Sequence, residues 1–105
     1  MDGGALRNRL VMATAMWREA TDEPLPRMPP GDPVAQLDAF ELCVVELMFE
    51  QATPETAREI ATKTWDLVHD RPDDDPVKLR VVKGHEDLAR RVAAAGGEHA
   101  PQPET

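Results

Sequence analysis

The ionisable side chains of this chain crowd into one stretch, His69-Asp70, Asp73-Asp74-Asp75 and His85-Glu86-Asp87. Carboxylate oxygens with imidazole nitrogens suit a divalent cation, so His69, Asp73, His85 and Asp87 are the candidate metal ligands. The spacing fits no established site. An EF-hand loop alternates its ligands around a glycine and closes on a chelating glutamate, and a zincin helix needs a second histidine four residues after the first. Capping accounts for the same aspartates, because carboxylates favour the positive end of a helix dipole. Cys43 stands alone among Leu42, Val44 and Val45. Such neighbours predict a small buried hydrophobe rather than a nucleophile, which requires an accessible, electropositive setting. Glu46/Glu50 and Glu55/Glu59 are spaced for helix faces but lack the Glu-x-x-His partners of a di-metal bundle, so they predict a solvated acidic face. The spacing supports no catalytic residue and no phosphate-binding loop. If the metal site were real, the chain would be a stand-alone metal-binding enzyme.

The 105 residues carry twenty acidic and twelve basic side chains, a formal charge of −8 with neutral histidines. That excess argues against nucleic acid and anionic membranes as partners, since both require a net basic face. No apolar run approaches the ~20 residues of a membrane span. Arg7, Asn8, Arg9 and Arg18 interrupt any secretory apolar region, so a cytoplasmic location is expected. A single cysteine closes no intrachain disulfide and mildly favours a reducing compartment.

Three dipeptides punctuate the chain: Asp32-Pro33, Thr53-Pro54 and Asp75-Pro76. In each an oxygen acceptor suited to the N-cap precedes a proline suited to the first helical position. They predict helices over 33–52, 54–69 and 76–95. An earlier helix over 5–20 is marked by Leu6, Leu10, Ala13 and Trp17, with Arg7, Arg9 and Arg18 off that stripe. Five prolines in 21–33 predict an extended linker, leaving the first helix as an arm that folds back or reaches a partner. The last helix has a weak point at Gly84, is expected to end at Gly96-Gly97, and leaves 96–105 as a disordered tail. The fold class is therefore all-α: three or four short helices, the domain proper spanning 34–95.

The segment 34–52 is the most informative. Thirteen of its nineteen residues are apolar, far more than a one-sided surface helix requires. Leu37, Phe40, Val44, Leu47 and Met48 form one face, while Leu42, Val45 and Phe49 form another. Either this helix is the centre of the bundle or its second face is covered by another chain. On the latter reading Leu42, Val45 and Phe49 are the partner interface, joined by Leu6, Leu10 and Trp17 of the arm.

Leu37-Asp38-Ala39-Phe40-Glu41-Leu42-Cys43, continuing to Phe49, and then Thr53-Pro54-Glu55 with Arg58, resemble the helical region of nitrile hydratase β-type subunits. The related thiocyanate hydrolase subunit and nitrile hydratase accessory proteins share that region. The likeness covers about residues 35–60. It departs from the family pattern at Gln36-Leu37-Asp38, where Trp-Glu is usual, at the glycine-free turn Glu50-Gln51-Ala52, and in having no tyrosine. The resemblance implies a non-catalytic small subunit or accessory protein, the cobalt or iron residing on a larger, cysteine-rich partner subunit of a hetero-oligomeric enzyme. The alternative from composition and patterning is a homodimeric regulatory or ligand-sensing helical protein.

Overall fold

The computed structural model describes residues 3–99 and is all-α, with α1 (Gly3–Ala20), α2 (Pro33–Gln51), α3 (Ala57–Val68) and α4 (Pro76–His99). Two of the three punctuating dipeptides act as the sequence predicts. The Asp32 carboxylate accepts from the backbone amides of Val34 at 2.9 Å and Ala35 at 3.0 Å. Asp75 repeats this with Val77 at 2.9 Å and Lys78 at 3.1 Å. Each satisfies amides that would otherwise lack an intrahelical partner, and proline follows where no amide hydrogen is needed. Thr53-Pro54 behaves differently. Thr53 and Thr56 exchange hydrogen bonds between amide and hydroxyl, 2.9 Å in one direction and 3.2 Å in the other. This reciprocal lock closes a turn over 54–56, so the α-helix proper starts at Ala57, three residues later than expected.

The helix sequence order does not produce a simple up-down bundle. Arg9 near the start of α1 meets Asp38 and Glu41 early in α2, while Met16 and Ala20 lie beside Met48 and Gln51 at its end. Hence α1 and α2 run in the same direction. So do α2 and α4, where Glu46 pairs with Arg80 and the Ala52 carbonyl accepts from Arg91. Only α3 runs against the others, joined to its neighbours by short turns; it leans mainly on α4 and only slightly on α2. α2 and α3 are therefore antiparallel in direction but are not the main packing pair. The proline-rich segment between Thr21 and Asp32 carries the chain back along the bundle without helix. Met28 packs on the core, and the Glu23 carbonyl accepts from Trp17 Nε1 at 3.0 Å. The arm is not detached: α1 packs within the same molecule.

α2 is the centre. Val44, Val45, Met48 and Phe49 are all buried, with Leu42 partly buried against them. Val45 and Phe49 of the second face join Val77, Val81 and Leu88 of α4 in one buried cluster, with Leu42 partly buried against it. The assignment of Leu42, Val45 and Phe49 as a partner interface is thereby corrected. The reason is close approach at Gly84. A Cβ built there would lie 2.1 Å from Cε2 of Phe49, so glycine lets the α4 backbone rest on the aromatic ring. The ~1 kcal/mol helix cost of glycine is offset by that contact. α4 accordingly continues as one helix through Gly84, and through Gly96-Gly97 to His99, where the sequence predicts a stop. The tail beyond His99 lies outside the described residues. Among those described, no helix is long and apolar enough to cross a membrane.

Filling the Gly84 site tests this packing. Gly84→Val is expected to cost about 2–3 kcal/mol of unfolding free energy in urea, from overpacking against Phe49. Adding Phe49→Leu should cost less in the Gly84→Val background than in the wild type, giving a non-additive double-mutant cycle.

Candidate functional site

The proposed metal ligands are scattered. His69 ends α3, exposed, with its ring Nδ1 donating to the Asp66 carbonyl at 3.3 Å. Asp73 projects into solvent and accepts from Lys78 Nζ at 3.2 Å. Asp87 pairs with Arg90 one turn along α4. His85 points instead into the junction of three helices. Among the described residues no group of three or more His, Cys, Asp or Glu is placed to hold a metal ion. Of the α3–α4 loop aspartates, Asp75 caps α4 as the capping account predicts, while Asp73 pairs with Lys78 instead of capping. Cys43 is also relocated, being exposed rather than buried. It lies beside Ala39 and Glu46, outside the arc of α2 that contains Leu37, Val44 and Met48.

A polar feature that sequence reasoning missed occupies the core. Glu41 is 0% exposed, on the inner face of α2 one turn after Leu37. Arg71 grips it bidentately, Nη1 to Oε1 at 2.8 Å and Nη2 to Oε2 at 2.6 Å. Arg9 approaches from α1, its Nη2 donating to Glu41 Oε1 at 2.6 Å and to Asp38 Oδ1 at 2.7 Å. Its Nε completes the set at 3.3 Å from Glu41 Oε2. The hydrogen bond to Glu41 above all holds the Arg9 guanidinium well above its ordinary value, so it stays charged. Both oxygens of Glu41 carry two donors each, which exhausts the ordinary capacity of a carboxylate. The group therefore has no lone pair left for a substrate or a metal and works as a tie between α1, α2 and the α3–α4 loop. A sequence signal for it existed: a glutamate inside the stripe Leu37–Val44–Met48 demands cations from elsewhere.

His85 forms the second junction. Thr64, fully buried in α3, donates its hydroxyl hydrogen to the Ile60 carbonyl at 2.8 Å. Its oxygen therefore accepts from His85 Nε2 at 2.9 Å. The imidazole stands edge-on to Phe49 at 6.0 Å between centroids and 6.1 Å from Trp65. Burial among these groups pulls the imidazole below its usual value, partly opposed by a hydrogen bond to the Ala61 backbone.

The remaining interface candidates divide. Trp17 is buried and Leu6 partly so, both spent on packing within the chain; Leu10 alone is open, at 49%. Exposed apolar surface continues from Leu10 to Val11 and Met12 on α1, 62% and 45% exposed, and a second group lies on α3 and α4. Trp65 on α3 is 41% exposed, and Leu79 and Val82 on α4 are 54% and 41% exposed. Lys78 Nζ sits 5.5 Å above the Trp65 ring while donating to the Arg71 carbonyl at 2.8 Å. Because Val82 follows Lys78 by one turn and precedes His85 by three residues, it borders Trp65, and Leu79 lies one turn before it. The three form a ridge whose tryptophan is held between a cation and an imidazole.

Two outcomes test these junctions. Glu41→Ala should cost about 3–5 kcal/mol in urea unfolding, because it strands the Arg71 charge in the interior; Arg9→Ala should cost less, since Arg71 keeps its partner. His85, whose folded value lies below the ordinary one, takes up its proton more readily when unfolded. Its contribution to stability is complete above about pH 6.5 and is lost as pH falls from there through the lower folded value. His85→Gln should flatten that part of the stability–pH curve.

No family model, curated protein or solved structure matches this chain.

Proposed function

We propose that this chain is a non-catalytic helical protein that works by binding a larger protein chain, using the ridge of Trp65, Leu79 and Val82. The observation that carries this reading is the exposure of Trp65, Leu79 and Val82 on two adjoining helices of a chain otherwise rich in charge, with the tryptophan ring braced by Lys78 and His85. Such contiguous apolar surface marks interaction sites, and a tryptophan with little freedom left to lose is the commonest kind of anchor. Trp65 meets that description, clamped by Lys78 and His85. The likeness of residues 35–60 to nitrile hydratase β-type subunits adds a finer reading: a small subunit or accessory factor whose partner carries the cobalt or iron. The contact with that partner shifts from Leu42, Val45 and Phe49, which the fold consumes, to the α3–α4 ridge.

A photo-crosslinking benzophenone residue at position 79, in cells that make the protein, should yield one adduct with a larger chain. Trp65→Ala should abolish it while the chain stays folded, at a cost of about 1–2 kcal/mol for the ring's lost contacts with Lys78 and His85. An adduct with a second copy of the 11.6 kDa chain would transfer the ridge to a homodimer. Absence of any adduct would refute the reading.

A further inference from the structure

We infer that the groove between the first half of α1, the linker and the start of α2 binds a free medium-chain carboxylate, an aliphatic tail with an anionic head. The groove is open along one side and holds about 400 Å³, within the range of small-molecule sites. Leu37 and Phe40 form its buried floor, and Leu6 and Met28 its partly buried walls, with Leu10 as an open lip. This lining suits a chain of methylenes, and the methionine adapts to its length. The mouth has two polar groups. Gln36 gives one of its two amide hydrogens to the Pro29 carbonyl at 3.1 Å, and Arg7 supplies the groove's cationic donor. No ion-pair partner of the Arg7 guanidinium occurs among the described residues.

The charge pattern selects the head group. Among the described residues no carboxylate side chain lines this groove, and its one charged residue is Arg7. A neutral apolar ligand would have no use for that cation, and a cationic amphiphile would be repelled by it. A carboxylate fits both the apolar floor and the guanidinium, which offers a planar pair of donors. The groove shares no residue with the α3–α4 ridge, so the two readings stand or fall separately.

Titration calorimetry of the full chain with octanoate, decanoate and dodecanoate, each below its micelle threshold, tests this. Saturable 1:1 binding is expected, tightening up to about fourfold per added methylene. Decyltrimethylammonium should bind more weakly than decanoate. Arg7→Glu should weaken decanoate about fivefold or more, and Leu10→Glu should weaken the whole series; both positions are exposed, so both variants should melt as the wild type does. No saturation with any of the three acids, equal binding of the cationic amphiphile, or indifference to both substitutions would each overturn the assignment. So would binding seen only with phosphatidylcholine–phosphatidylglycerol vesicles and not with the free acids.

Discussion

The structure depends on one contact, the seating of the Phe49 ring against the backbone of α4 at Gly84. α2 is apolar around most of its circumference, and a helix of that kind is stable in water only when it is enclosed. α1 and the linker cover one side. The other would stay bare if α4 were held off by even a methyl group at the crossing, since ring and Cβ cannot share that space. With glycine there, Val77, Val81 and Leu88 close over Val45 and Phe49, and Arg91 reaches the Phe49 and Ala52 carbonyls at the end of α2. A small chain thereby hides most of an apolar surface that had seemed to require a companion.

Enclosure by apolar contact alone does not specify how the helices are aligned along their lengths. The Glu41 cluster supplies that alignment. A buried carboxylate between two arginines is a poor source of net stability, because desolvation consumes most of the attraction. Its geometry is nonetheless exacting: sliding α1 by one turn would part Arg9 from both Asp38 and Glu41. Greasy faces are tolerant and ion pairs are selective, and the fold uses one of each. The same division holds around Thr64 and His85, where a hydroxyl between two helices sets the depth at which α3 lies on α4.

Local features of the fold were legible in the sequence, whereas those decided over long range were not. The caps at Asp32 and Asp75 and the helical periodicity depend on residues a few positions away. What covers Leu42, Val45 and Phe49 depends on a glycine 35 residues beyond Phe49, and spacing within α2 holds no trace of it. Gly84 read as a weak point in a helix, when its missing side chain is what the neighbouring helix requires. Arg9 was placed off the apolar stripe of α1, which is correct for hydropathy and misleading for position, because its partner Glu41 is itself buried. Cys43 followed its neighbours' hydropathy into the interior, although its angular position on α2 faces water. Of the loop aspartates, Asp75 followed capping logic while Asp73 pairs with Lys78, and only the fold could show that His85 points away from them.

The linker between α1 and α2 also measures distance. Because the two helices run the same way, residues 21–32 must return the whole length of α2, about 27 Å at 1.5 Å per residue, and cross its width as well. Twelve residues in polyproline geometry reach about 37 Å, which leaves little slack. The prolines keep this strap near full stretch, where a flexible segment of equal length would coil and shorten. Removing four residues would leave a strap that barely spans α2 even when fully extended, with nothing left to cross its width, and would favour seating α1 on the α2 of another molecule. Monomer and swapped dimer are thus separated by roughly one turn's worth of strap.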